Sequence, residues 1–167
     1  GQGDEIHFRE SFPLGAVRLM ERFPHSDPPK PAELAASRDW LREFLESRVR
    51  PALEPALRRE AQLHPKHHAP LLVGAGGTAT VLARMEQGME DYDRERIEAA
   101  RLTRQKLGTW GERLWAQPLG ERKRIAGLPP ERADVILTGA AIYEAVMERF
   151  AFDGLRVSPR GLRFAAA

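Results

Sequence analysis

The 167 residues contain no cysteine. That excludes a disulfide framework, a thiolate nucleophile and any cysteine-ligated zinc or iron–sulfur centre. It also fits a reducing compartment, and a cytoplasmic location is expected. Net charge is scarce too. Lys and Arg number 26 against 24 Asp and Glu, a balance of +2, so no dominant field for nucleic acid is indicated. Long apolar runs are missing: the longest stretch without a charged residue or histidine, Ala69 to Ala83, has 15 residues and three glycines. A membrane-spanning helix needs about 20 apolar residues. The first residues are acidic and polar, without the basic-then-apolar pattern of a signal peptide. Neither a membrane nor a nucleic acid is expected as a partner. No internal repeat or low-complexity segment occurs. The first residue is Gly1 rather than Met, and the expectation is a piece of something longer.

What is present is globular: 42% hydrophobic and 30% charged residues. One domain over 1–167 is expected, able to hide about 68–70% of its unfolded surface. Residues 4–12, DEIHFRESF, alternate and predict a strand, broken at Pro13 and Gly15. Residues 16–23 predict a short helix with Val17, Met20 and Phe23 on one stripe. PHSDPPKP, residues 24–31, predicts a loop. Residues 32–60 predict an amphipathic helix on Leu34, Trp40, Leu41, Phe44, Leu45 and Val49, ended or kinked by Pro51 and Pro55. After the polar loop 63–70, Leu71, Leu72 and Val73 predict a strand running into a glycine turn and a helix. Residues 91–120 predict helix in two pieces, and 120–126 a further short helix. The clearest stripe is Ile136, Ala140, Tyr143, Met147 and Phe150, and a last short strand is predicted over 155–158. Strands separated by many helices predict α/β or α+β, a small sheet covered by helices.

The sharpest local feature is LLVGAGGTAT, residues 71–80. Glycines after a strand let the backbone approach a ligand, and the next helix offers free N–H groups to an anion. Thr78 could cap that helix or donate to a phosphate. Neither a P-loop nor a dinucleotide fingerprint fits the spacing. The competing reading is a tight turn whose glycines permit close packing. His64, His67 and His68 cluster in one loop with no adjoining carboxylate, which favours a solvated loop over a metal site. His7 is expected to face water. Residues 94–124 hold nine Lys or Arg against four Glu, with Arg122, Lys123 and Arg124 adjacent. An idle charged surface is preferred there to a polyanion groove. Trp110 and Trp115 read as core.

Four segments taken together resemble the exopolyphosphatase / guanosine pentaphosphate phosphohydrolase (Ppx/GppA) family. They are SFPLGAVRLMERF (11–23), LLVGAGGTATVLARM (71–85), GLPPERADVILTGAAIYEAVMERF (127–150) and LRVSPRGLRF (155–164), in the family's order and spacing. The departures are modest: Ala99-Ala100 stands before Arg101-Leu102-Thr103 where a His-Gly pair is common, and Arg163-Phe164-Ala165 replaces Arg-Glu-Gly. The resemblance implies an α/β, actin-like ATPase fold, ribonuclease-H-like, and specifically the second domain of such a protein. It implies an upstream domain, absent here, with a phosphate loop, a glutamate that activates water, and a glycine-rich loop just before Gly1. The implied reaction cleaves the terminal phosphoanhydride of polyphosphate or guanosine pentaphosphate, with a divalent cation, Mg above all, in the whole parent. In this chain it implies phosphate contact by Gly74, Gly76, Gly77 and Thr78, with Arg18 and Arg132 either holding phosphate or serving as salt-bridge arginines. No catalytic residue is expected within the chain, which should be inactive alone. The alternatives are a nucleotide- or polyphosphate-binding module without hydrolysis and a self-associating interaction domain. A bare interdomain face, with Leu14, Val17 and Leu71 among its apolar residues, would pair as a homodimer.

Overall fold

A computed structural model describes residues 6, 8–63 and 70–160. Its spine is the predicted 136–150 stripe, which forms helix α8, Ile136–Arg149. Ile136, Leu137, Ala140, Ala141 and Met147 are all buried, because α8 is covered on two sides. On one side lie α4 (Gly77–Gln87) and α6 (Arg104–Ala116); on the other lie α1 (Ala16–Arg22) and α2 (Pro31–Phe44). A helix apolar on more than one face is a buried helix. The main core joins α8 to Ala79, Leu82, Leu102, Leu107, Leu114 and Leu155. A smaller cluster of Leu19, Leu41 and Ala141 fixes α1 and α2 to its other side.

The sheet has three strands among the described residues: β1 (Leu72–Ala75), β2 (Arg101–Thr103) and β3 (Gly154–Ser158), in the order β1-β3-β2. β3 runs parallel to β1 and antiparallel to β2. Gly74, Leu102, Leu155 and Val157 face the helices and are buried. The opposite face carries Val73, 55% exposed, in register with Arg156, which itself pairs with Arg101. Val17 and Leu71 are exposed as expected, while Leu14 is half-buried.

Several expectations are corrected. Residues 6 and 8–12 form no strand, because a strand needs a hydrogen-bonded neighbour and no described strand flanks them. The buried residue of α1 is Leu19; Val17 points outward and Met20 and Phe23 are only half-buried. The helix over 120–126 is confined to α7, Leu119–Arg122, and continues as turns. The prolines neither end nor simply kink the long helix. It runs through a π-helical turn, Leu45–Val49, into α3, Arg50–Leu63. There the Arg50 N–H donates to Leu45 O, five residues back. Pro51 has no N–H for Ser47 O and its ring crowds that carbonyl, and the wider turn accommodates both. Between α5 (Arg94–Ala99) and α6 the sequence reading missed β2, three residues long.

Candidate functional site

The strand–turn–helix expected at 71–80 forms as β1, a turn and α4. Its glycines divide the work. Gly74 is buried, and a side chain there would begin 2.9 Å from Ala79 Cβ and 2.9 Å from the Tyr143 hydroxyl. It is therefore a packing residue. Gly76 is the N-cap of α4, at φ +91° and ψ −171° with open space around its Cα. That backbone region belongs almost entirely to glycine, so Gly76→Ala should cost about 1–3 kcal/mol through conformation alone. A urea midpoint unchanged by this substitution would show that the turn has no need of that geometry. The N-cap is thus Gly76 rather than Thr78, which occupies the second helical position and makes no cap bond.

Gly77 and Thr78 open α4 and line a cavity of about 400 Å³. Its other walls are the start of α1, with Gly15, Ala16, Val17 and Arg18, and the segment entering α8, with Arg132, Val135 and Ile136. A 3-10 turn, Pro130–Arg132, delivers Arg132 to this rim. The Arg132 guanidinium lies 3.8 Å from where a Gly77 side chain would begin. Four of the six expected residues, Arg18, Gly77, Thr78 and Arg132, therefore meet at one cavity, while Gly74 and Gly76 shape the turn behind it.

The electrostatics favour an anion. The first N–H groups of α4 have no acceptor within the helix, and its dipole is positive at that end. Intrahelical bonding begins with Thr80 N–H donating to Gly76 O at 3.2 Å. Arg18 and Arg132 are exposed, and neither side chain has an ion-pair or hydrogen-bond partner among the described residues. Other arginines of the chain do: Arg38 grips Glu144 at 2.9 Å and Glu112 at 3.0 Å. Among the described residues no carboxylate lines the cavity. The salt-bridge alternative for Arg18 and Arg132 thus finds no acid to satisfy it among those residues.

The divalent cation implied by the resemblance finds no ligand set here. No cluster of three or more His, Asp or Glu suited to a metal occurs among the described residues, and the cavity's charged side chains are both cations. These residues do not fit that ion. His7, His64, His67 and His68 lie outside the described residues. The idle charged surface expected for Arg122, Lys123 and Arg124 is corrected at Arg122, which is buried at 1% exposed, while Lys123 and Arg124 are exposed. Trp115 is core as expected, and Trp110 packs half-buried against the core. Missed altogether were Ser11 and Phe12, which line the cavity rather than a sheet, and Thr138, which touches α1. A threonine-glycine pair inside the apolar stripe of α8 was the only signal for the last.

Residues 1–164 match the family described as Ppx/GppA phosphatase. Exopolyphosphatase 2 of Mycobacterium tuberculosis is 37% identical over 158 residues, covering 92% of this chain and 46% of that protein. Exopolyphosphatase 1 of Mycobacterium leprae is 28% identical over 163 residues, 98% of this chain and 44% of that protein. The solved Aquifex aeolicus Ppx/GppA phosphatase superposes with a TM-score of 0.75 at 31% identity, covering 95% of this chain and 48% of that one. The chain spans about half the length of the relatives it matches.

Proposed function

The chain belongs to the Ppx/GppA phosphatase family and has its actin-like fold, and from that membership we propose that it is the phosphate-holding wall of a phosphoanhydride hydrolase. The substrate is polyphosphate, with guanosine pentaphosphate as the alternative polyanion. The observation that carries the reading is the meeting of Arg18, Arg132 and the α4 N-terminus at one cavity with no carboxylate among the described residues. Backbone donors and guanidiniums aimed at one point neutralise the charge that builds on phosphoryl oxygens during displacement by water. The bare interdomain face and the second, catalytic half are parts of the same reading.

Among the described residues the lining offers the hydroxyls of Ser11 and Thr78 but no carboxylate or imidazole to take a proton from water. Its role is to bind and orient; bond cleavage needs a base from beyond these residues. Titrating the chain with pyrophosphate should shift the amides of Gly77 and Thr78 first and saturably. Incubation with long-chain polyphosphate and magnesium should release phosphate no faster than buffer. Turnover well above the blank would overturn the division of labour, and shifts centred on residues 64–68 would overturn the site. Affinity without any gain in hydrolysis on adding the other half of a relative would favour the pure binding module.

A further inference from the structure

Thr138 and Gly139, consecutive residues of α8, sit where the three walls of the cavity join. Thr138 is fully buried. Its hydroxyl oxygen lies 2.9 Å from Ala16 O and 2.7 Å from Val135 O. Donation to a carbonyl three residues back adds little to a helix and competes with its own bonding. Donation to Ala16 O instead joins two elements far apart in sequence. Ala16 precedes Arg18 by two residues. Val135 is tied to the other arginine, its N–H donating to Arg132 O at 3.2 Å. One hydroxyl thus lies between the backbone segments that carry the two cavity guanidiniums.

Gly139 supplies the third junction. A side chain on it would begin 2.5 Å from Thr78 Cγ2 and 3.5 Å from Ala16 Cβ. The first turn of α4 therefore packs into the space that Gly139 leaves, and α1 closes over the same spot. The packing is close enough that one added methyl must displace Thr78.

We infer that the Thr138–Gly139 pair positions the anion cavity, setting the separation of Arg18, Arg132 and the α4 N-terminus. This rests on the reading of that cavity as a phosphate site. Neither residue touches the anion; both are positioning residues, acting through α1 and α4. Guanidinium hydrogen bonds to phosphate are directional, and a modest displacement of one donor set loses affinity disproportionately.

The test compares Thr138→Val, Thr138→Ser and Gly139→Ala with the unaltered chain. Two readouts are taken: pyrophosphate affinity from the Gly77 and Thr78 amides, and hydrogen exchange of the α1 amides without ligand. Thr138→Val keeps volume and loses the hydroxyl. It should bind about tenfold more weakly, a loss of roughly 1.4 kcal/mol, with faster α1 exchange. Thr138→Ser should restore affinity to within about twofold. A purely structural threonine would lower the melting temperature of the valine variant while leaving both readouts unchanged, and that result overturns the inference. Should the valine variant not fold, unchanged affinity in Gly139→Ala overturns it equally. A chain that never binds pyrophosphate refutes the phosphate site itself. The exchange comparison then decides alone whether the pair holds α1 in place.

Discussion

Replacing Arg132 with glutamine should weaken pyrophosphate binding by about tenfold or more, and replacing Arg18 as well should bring it below detection. A hydrogen bond to a charged group contributes about 1.5–3 kcal/mol, and tenfold in affinity is about 1.4 kcal/mol. The folded state should be indifferent to the change. Neither guanidinium has a partner among the described residues, so its removal orphans no carboxylate. Two unneutralised cations at one cavity repel each other, so the double variant should melt no lower than the parent, and higher at low salt. This combination separates a binding role from a structural one. Titration calorimetry on Arg18→Gln, Arg132→Gln and the pair, each beside a thermal melt, reads both quantities. Affinity that survives in the double variant would move the phosphate away from this cavity. A loss of stability in either single variant would mean that the arginine serves the fold.

How far this site could be read from sequence depends on which residues are asked to show it. The glycine turn and α4 were legible because β1 and α4 are short, local and marked by residues with one conformational meaning. Gly76, at φ +91°, is the plainest of these. Thr103 and Asp93 cap α6 and α5, accepting from the Lys106 and Arg96 amides at 3.2 Å and 3.0 Å, a start signal that the sequence reading did not use. What could not be read was which of the four turn residues would face a ligand. Gly74 and Gly77 are the same residue type three positions apart. One is pressed against Ala79 and Tyr143, and the other sits beside Arg132. Much of that difference is made by residues more than fifty positions later in the chain, Tyr143 of α8 and Arg132 of the turn before it. Residues 8–12 misled for a related reason. Their alternation is a real strand pattern, but pairing is settled by the neighbour and not by the pattern. β2 escaped because three residues, with only Leu102 buried, carry no period to detect.

The run Arg122-Lys123-Arg124 shows the limit most sharply, and it carries the largest stability effect expected in the chain. By sequence the three are alike; in the fold Arg122 is 1% exposed and its neighbours face water. Its Nε donates to Ala133 O at 2.9 Å, and Nη1 reaches Gln117 O at 2.9 Å and Leu114 O at 3.3 Å. One guanidinium therefore satisfies carbonyls at the end of α6 and pins the backbone immediately after Arg132. Burial pulls its proton affinity down, and Asp27 and Asp134 oppose that pull. An arginine nonetheless stays charged under such a shift. Removing the side chain, as in Arg122→Ala, leaves buried carbonyls without donors at about 1–3 kcal/mol each, besides a cavity. A loss of roughly 3–5 kcal/mol is expected, comparable to breaking a buried ion pair. In a domain of this size each kcal/mol lowers the melting temperature by about 2–4 °C, so the midpoint should fall by roughly 6–20 °C. Arg122→Lys should recover only part, because one ammonium cannot span acceptors that a planar fork reaches in two directions. Lys123→Ala and Arg124→Ala should stay within about 0.5 kcal/mol of the parent, as surface substitutions do. Denaturant titrations of the four variants decide the matter. If Arg122→Ala matched its two neighbours, the guanidinium would be a bystander and α6 would hold its carbonyls by other means. The expected gap instead makes Arg122 the residue that keeps the Arg132 turn in place. An Arg122→Ala chain should then also bind pyrophosphate more weakly, because the turn that carries Arg132 is no longer pinned.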